Sequence, residues 1–144
     1  MKSIDKNQNE FVDTMDLFGQ YDWTDKFNHI MSMGNSLPAQ CPGELLLYRI
    51  LTCSSITYFH AWLQDGELRV NGWSNAAVQR GIIAAIIQMF DHAPESEFTS
   101  ENAVYFHTAS GLLYNLTPLR KDGLLEMIRR IHVLFSVRNS DYFC

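Results

Sequence analysis

One stretch decides the fold, and it reads Ile56-Thr57-Tyr58-Phe59-His60-Ala61-Trp62-Leu63-Gln64-Asp65-Gly66-Glu67-Leu68-Arg69-Val70. Residues 56–63 are rich in β-branched and aromatic side chains, which favour a β-strand. The dipeptide Asp65-Gly66 is typical of a tight hairpin turn. The alternation of Leu68 and Val70 then predicts the return strand. The sequence therefore predicts a small antiparallel hairpin in the middle of the chain.

Helical patterns follow this hairpin. Ser74 is placed to cap a helix over residues 76–90, which are apolar almost all round, so this helix should be central and buried. Thr117-Pro118 begins the last helix, since proline is favoured in a first turn. A weaker helical pattern covers residues 103–113.

Two shorter helices precede the hairpin. An apolar stripe begins at Phe11 with helical spacing, and Gly19 ends it. Asp22 is a predicted N-cap for the second helix, which Gly34 ends. Residues 1–9 are polar and are expected to be flexible.

The order of these elements is helices, a small antiparallel sheet, then helices again. Such an order predicts the α+β class, with the sheet packed against helices from both ends of the chain. A length of 144 residues suits one domain. We therefore expect a single domain over residues 1–144, with its core at about residues 22–132.

Composition and charge exclude several classes of function. The formal net charge of -5 disfavours a nucleic-acid partner, because acidic surfaces repel phosphate backbones. The N-terminus has no apolar run typical of a signal peptide. The most apolar stretch, residues 82–90, is too short to cross a bilayer. The expected location is the cytoplasm, without membrane association.

Three cysteines are the most distinctive chemical groups. They form no Cys-x-x-Cys pair, and their odd number does not indicate a disulfide framework. Cys53 lies between an apolar stretch and the first strand, where it is either a reactive thiol or a buried structural cysteine. Cys41 lies in a loop rich in proline and glycine, and Cys144 is the last residue, a position typical of a bystander.

Other catalytic and ligand-binding patterns are weak. The five histidines are scattered singly, and no cysteine–histidine spacing fits a zinc or cluster site. A cysteine–histidine hydrolase has no local signature here, and there is no glycine-rich phosphate loop. The sequence predicts neither a metal site nor a cofactor.

Four motifs are spread along the chain in a defined order. They read Gly34-Asn35-Ser36-Leu37-Pro38; Thr52-Cys53-Ser54-Ser55-Ile56-Thr57-Tyr58; Gly72-Trp73-Ser74-Asn75-Ala76 with Arg80-Gly81; and Leu116-Thr117-Pro118-Leu119-Arg120-Lys121-Asp122-Gly123-Leu124. Together they resemble the SufE family, which includes the CsdE-like branch.

The corresponding family patterns are Gly-x-x-Leu-Pro, then Gly-Cys-x-Ser-x-Val-Trp, then Ser-Asp-Ala followed by a basic residue and Gly, and finally Leu-Thr/Ser-Pro-x-Arg-x-x-Gly-Leu. The resemblance covers roughly residues 22–132 and rests on the order and spacing of the motifs together. The chain departs from the family at Thr52, Tyr58 and Asn75, where the family has glycine, tryptophan and aspartate. A threonine before the cysteine is stiffer than a glycine.

The resemblance implies a SufE/IscU-like fold and a sulfur acceptor. Cys53 would take persulfide sulfur from a SufS-type or CsdA-type cysteine desulfurase, stimulate that enzyme and deliver the sulfur to a SufB-type scaffold. Ser55, Asn75 and Arg120 occupy the supporting positions. Pyridoxal phosphate belongs to the desulfurase, so the chain itself needs no cofactor. It would be a sulfur-transfer protein and desulfurase activator rather than an independent enzyme.

Two alternatives stay open at this point. A degenerate adaptor would bind the desulfurase or the scaffold without carrying sulfur, and Thr52 and Asn75 are its support. An iron–sulfur scaffold of the IscU type has a similar fold, but it needs three or four convergent ligands. The sequence also leaves open whether the protein forms a homodimer.

Overall fold

The computed structural model describes residues 4–19, 22–53, 55–98 and 104–140, with side chains up to residue 134 in the last range. The helices and strands are α1 (Ile4–Asp16), α2 (Trp23–Met33), β1 (Thr57–Gln64), β2 (Glu67–Ser74), α3 (Ala77–Phe90), α4 (Phe106–Ala109) and α5 (Pro118–Ser140). Helices α3 and α5 pack on the β1–β2 sheet and the N-terminal helices α1 and α2 pack on α3, so the fold is α+β, as predicted.

The β1–β2 hairpin forms as the sequence predicts. The strands pair antiparallel from Thr57 opposite Ser74 to Gln64 opposite Glu67. The turn residues Asp65 and Gly66 have positive φ angles of 53° and 79°. Positive φ at both central residues is what a two-residue hairpin turn of type I′ requires.

Helix α3 is the centre of the domain, and it contacts α1, α2 and β2. Most of its residues are buried, which confirms the prediction of a central helix. Its backbone also comes very close to α2, because a Cβ placed on Gly81 would lie 2.0 Å from the carbonyl oxygen of Ile30. Only glycine permits this approach.

Arg80 fastens the start of α3 to the turn that follows α2. Its guanidinium donates hydrogen bonds of 3.0–3.3 Å to three carbonyls within residues 34–38 and to the carbonyl of Ser74. The ring of Trp73 lies 5.7 Å from this guanidinium, and its Nε1 donates to Pro38 at 2.9 Å. Two of the sequence motifs therefore meet in space and fix the first turn of α3.

The N-terminal segment differs from the expectation. Residues 4–9 are the first turns of α1, so they do not form the expected flexible segment; residues 1–3 lie outside the described residues. Ile4 and Gln8 are buried. The Oε1 atom of Gln8 accepts the backbone N–H groups of Tyr105 and Phe106, at 2.8 and 3.1 Å. The core thus extends beyond residues 22–132, because α1 caps α4 and packs on α3.

The chain after α3 is less regular than predicted. Of the helix expected over residues 103–113, the structure has α4 and then a single 3₁₀ turn, Leu112–Asn115, while Ala103 lies outside the described residues. Gly111 separates the two with a φ of 82°, a left-handed conformation that ends a helix. Helix α5 begins at Pro118, as predicted, and packs on β1.

No helix in the described part of the chain has both the length and the hydropathy that crossing a membrane requires.

Candidate functional site

Cys53 lies in the cysteine loop, the name used here for residues 51–53 and 55–56, which precedes β1 at the open end of the hairpin. Residues 48–50 run antiparallel beside β1, and Arg49 forms a β-bridge with Tyr58. The backbone N–H of Ile50 donates to the carbonyl of Thr57 at 2.9 Å, which closes the base of the loop. The cysteine is therefore at the end of a rigid element, where a side chain can be presented to a partner.

The thiol of Cys53 points inward and lies between helices α3 and α5. The position it occupies there, against Gln79 and Gly123, is here called the seat. Cys53 is 9% exposed. A Cβ placed on Gly123, in the first turns of α5, would lie 2.3 Å from the sulfur. From the first turn of α3, Nε2 of Gln79 donates a hydrogen bond to the sulfur at 3.6 Å. The absence of a side chain at Gly123 is what makes room for the thiol.

A chain of hydroxyl groups runs along the base of the loop. Ser74 Oγ accepts the backbone N–H of Ala76 at 3.2 Å and lies 2.9 Å from Thr57 Oγ1, which in turn lies 3.0 Å from Ser55 Oγ. The Thr57 hydroxyl also acts on the thiol of Cys53, whose pKa it pulls downward. The open end of the hairpin thus supplies a polar edge to an otherwise apolar seat.

Asn75 holds the far end of the cysteine loop. Its Oδ1 accepts the backbone N–H of Ile56, and its own backbone N–H donates to the Ile56 carbonyl, both at 3.1 Å. This pair of bonds lies outside the regular hairpin and connects the loop to the approach to α3. The loop is therefore fixed at both ends while its tip is not part of the sheet.

Arg130 fastens the base of the cysteine loop to α5. Its guanidinium donates to the carbonyls of Tyr48 and Arg49, at 2.9 and 3.1 Å, and to that of Phe59. Glu126, one turn earlier, pairs with it at 3.3 Å. The position of the loop therefore depends on α5 through Arg130 as well as through Gly123.

The electrostatic environment keeps the thiol protonated at neutral pH. Burial raises the pKa of Cys53 above its ordinary value, and the carboxylate of Asp122 acts in the same direction. The hydroxyl of Thr57, the hydrogen bond from Gln79 and the charge of Arg130 oppose this rise. A thiol in this state reacts slowly until it leaves the seat.

Exposed apolar side chains lie on the cysteine loop and on the segments that flank it along the chain or pack against it. Leu51 on the cysteine loop is 87% exposed, and Ile56 on the same loop is also exposed. Leu46 and Leu47 precede the loop, and Leu119 lies in the first turn of α5, all exposed. Large apolar side chains gathered at a surface are typical of a protein–protein interaction site.

The structure brings together most of the residues predicted for the site. Ser55 and Asn75 both lie at the cysteine loop with Cys53. Arg120 is exposed in the first turn of α5, and it makes no hydrogen bond or ion pair within the described residues. Its role at the thiol stays a prediction, and the cation whose charge acts on the thiol is Arg130.

The sequence interpretation missed Gln79, Thr57 and the packing role of Gly123. The available signal was a glutamine within an otherwise apolar helix, and a glycine in the first turns of another. Neither signal says that the residue contacts the thiol, because the contact depends on how α3 and α5 pack around the loop.

The other cysteines lie apart from this constellation. Cys41 is half-buried, and its Sγ donates to the carbonyl of Pro42 at 3.4 Å. Cys144 lies outside the described residues. Within the ranges that the structure describes, no three histidine, cysteine, aspartate or glutamate side chains converge as metal ligands would. An IscU-type scaffold site is therefore not supported by this part of the chain.

Comparison with known proteins identifies the family. The sequence model described as "SufE: Fe-S metabolism associated domain" matches residues 9–134. An uncharacterized SufE-like protein of Rhizobium etli is 26% identical over 143 residues, which cover 96% of this chain and 93% of the relative. A second uncharacterized SufE-like protein, from Rhizobium meliloti, is 28% identical over 115 residues, or 76% of this chain and 82% of the relative.

The fold also has a solved counterpart. The solution structure of a hypothetical protein from Thermus thermophilus matches with a TM-score of 0.62, covering 88% of this chain and 96% of that one. Its 17% identity supports the fold alone. Because the family model spans most of the chain and the relatives match it over most of their length, the chain belongs to the SufE family, whose domain is associated with iron–sulfur metabolism.

Proposed function

We propose that this protein accepts sulfur as a persulfide on Cys53 from a cysteine desulfurase and delivers it for iron–sulfur cluster assembly. The observation that carries the proposal is the close packing of the Cys53 thiol against Gly123, on a loop at the open end of the hairpin. A protein that only bound the desulfurase would not need a thiol at this position.

The chemistry is a thiol–persulfide exchange. The Cys53 thiolate attacks the outer sulfur of the persulfide on the desulfurase cysteine. A new S–S bond forms at Cys53 Sγ while the S–S bond on the desulfurase breaks, and the desulfurase cysteine leaves as a thiolate. Pyridoxal phosphate acts in the desulfurase, before this step. The number of persulfides is conserved, so no external oxidant or reductant is needed.

The closed loop cannot perform this exchange, because the thiol is 9% exposed and points inward. The loop must open so that Cys53 reaches the partner. Docking can supply the free energy, since burying an exposed Leu or Ile side chain contributes about 1.5–3 kcal/mol. Leu51 and Ile56 lie on the same loop as the thiol, and both are exposed, so a docking partner could bury them.

The ionisation state of Cys53 fits a carrier that reacts only with its partner. Burial raises the pKa of the seated thiol, so the protonated form predominates and stray oxidants meet little thiolate. Opening of the loop would end the burial that raises the pKa of the thiol. Re-closure after loading would then shield the transferred sulfur from small thiols.

The proposed donor is a SufS-type or CsdA-type desulfurase, which the protein would also stimulate, and the proposed recipient is a SufB-type scaffold. The cytoplasmic location and the homodimer stay predictions, because no contact within the described residues bears on either of them.

Stimulation of a desulfurase tests the proposal. We expect Cys53→Ser to abolish stimulation of a SufS-type desulfurase, measured as sulfide release from cysteine in the presence of reductant, with an unchanged circular dichroism spectrum. Cys41→Ser and Cys144→Ser are matched controls that should retain it. Full stimulation by Cys53→Ser would contradict the carrier role and support the adaptor instead.

A further inference from the structure

Gln79 is an unusual residue for the core of this domain. It is 1% exposed in the first turn of α3, among residues that are mostly apolar. Its Nε2 donates to the sulfur of Cys53 at 3.6 Å, and its Oε1 is buried and has no hydrogen-bond partner among the described residues. A buried, unpaired amide oxygen is unfavourable for stability, and the contact that the amide does make is the one to the sulfur.

We propose that Gln79 is a positioning residue that holds the sulfur of Cys53 in its anionic forms, the thiolate and the persulfide, while the cysteine loop is closed. The inference rests on the proposed function, since the persulfide is the form that a carrier has to protect.

Two side chains on different elements, Thr57 and Gln79, can direct a donor hydrogen towards the sulfur of Cys53. Ser74 Oγ accepts the N–H of Ala76 and can give its own proton to Thr57 Oγ1, 2.9 Å away. That leaves the Thr57 hydroxyl proton free to turn towards Cys53, whose thiol pKa this hydroxyl lowers. Gln79 adds a second donor from the opposite element, so two donors converge on one sulfur.

The amide of Gln79 is packed against Gly123 together with the thiol. A Cβ on Gly123 would lie 3.0 Å from the Nε2 of Gln79, as well as 2.3 Å from the sulfur. The missing side chain at Gly123 thus accommodates both partners of the hydrogen bond. The amide and the thiol are packed as a pair.

The carboxamide can serve both protonation states of the sulfur, but it favours the anion. With a neutral thiol, rotation of the amide would let Oε1 accept the weak S–H donor. With a thiolate or a persulfide anion, Nε2 donates a charge-assisted bond, which is about twice as strong as a neutral one. The difference between the two bonds stabilises the charged form.

The other charged groups near the sulfur do not replace Gln79. Asp122 and Arg130, both on α5, act on Cys53 with opposite signs. On α3, the guanidinium of Arg80 is turned towards residues 34–38. Gln79 is therefore the group on α3 that acts on the sulfur directly.

The pH dependence of thiol alkylation tests the proposal, in protein that carries Cys41→Ser and Cys144→Ser so that only Cys53 reacts. Gln79→Met keeps the size of the side chain and removes the donor, and it should raise the midpoint of the iodoacetamide rate profile by about one pH unit. Gln79→Glu should raise the midpoint further, because it places a negative charge at the sulfur. Gln88→Met, an exposed position on the same helix, should leave the midpoint unchanged.

An unchanged midpoint in natively folded Gln79→Met would overturn the proposal. If that variant does not fold, Gln79→Glu decides, and a midpoint equal to or below that of the parent protein would overturn it. The measurement uses no desulfurase. Failure of Cys53 to receive sulfur would therefore sink the proposed function without moving these midpoints, and unchanged midpoints would sink this inference while leaving sulfur transfer intact.

Discussion

Replacing Gly123 by alanine should drive the Cys53 thiol out of its seat. The added Cβ would lie 2.3 Å from the sulfur and 3.0 Å from Gln79 Nε2, both of which are too short for unaltered packing. The helix backbone need not move, because the sulfur sits on a loop that can yield. The cost therefore falls on the closed state of the cysteine loop.

The size of the effect follows from that clash. Inserting a methyl group into a packed site costs about 1–3 kcal/mol. Since 1.4 kcal/mol is a factor of ten in an equilibrium constant, the population with the thiol outside its seat should rise roughly 5- to 150-fold. Alanine favours the helix by about 1 kcal/mol in both loop states, so global stability should change little.

The assay is the rate of Cys53 labelling by a neutral thiol reagent at constant pH, with unfolding in urea measured in parallel. Gly43→Ala is the matched control, because a Cβ there meets nothing within 4 Å. The reasoning is refuted if Gly123→Ala is natively folded and labels no faster than Gly43→Ala.

Three further predictions concern packing, loop closure and pH. Gly81→Ala should lower the free energy of unfolding in urea by about 3 kcal/mol, because the added Cβ would lie 2.0 Å from the carbonyl oxygen of Ile30. A loss below about 1 kcal/mol would contradict the close contact between α2 and α3. Asn75→Ala removes the acceptor for the Ile56 N–H and should speed labelling of Cys53 about fivefold, whereas an unchanged rate would mean that this bond does not restrain the loop. Folding raises the pKa of the Cys53 thiol. The contribution of this thiol to the free energy of unfolding is therefore complete below its unfolded pKa of about 8.5, and it is lost as pH rises through the higher folded pKa. The denaturation midpoint of the natural sequence should therefore fall more steeply above that pH than that of Cys53→Ala, and equal slopes would show that burial does not perturb the thiol.

Local signals in the sequence were enough to predict the central elements. Asp65-Gly66 specifies a turn by its backbone conformation alone, and Asp22 accepts the N–H of Thr24 at 2.8 Å, as an N-cap does. The continuous apolar character of α3 needs no knowledge of its neighbours to indicate burial. These features depend on residues that are close along the chain.

The helix that begins the chain was predicted only from Phe11 onward, and its first turns were missed because the buried face there contains a polar residue. Ile4, Gln8, Phe11 and Met15 form the buried face of α1, but Gln8 is buried through its bonds to the backbone of α4. The pattern therefore looked apolar only from Phe11 onward. A side chain that satisfies backbone groups almost a hundred residues away leaves no local signal.

The same limit applies to the site. Two of the motifs predicted Cys53, Ser55 and Asn75 as site residues, and the structure places them together at one loop. The contacts of the sulfur with Gln79 and Gly123 join three distant segments, and only the packing of α3 and α5 brings them to the thiol. The choice of Arg120 as the nearby cation followed the motif, whereas the geometry puts Arg130 at the base of the loop.

The most direct test of sulfur transfer is intact-protein mass spectrometry after incubation with a SufS-type desulfurase and cysteine, with and without reductant. A known carrier serves as the positive control for the desulfurase. The account predicts a reductant-sensitive gain of one or more sulfur atoms that maps to Cys53 and is absent from Cys53→Ser. No gain in this protein, while the control carrier loads normally, would contradict the claim that Cys53 carries sulfur.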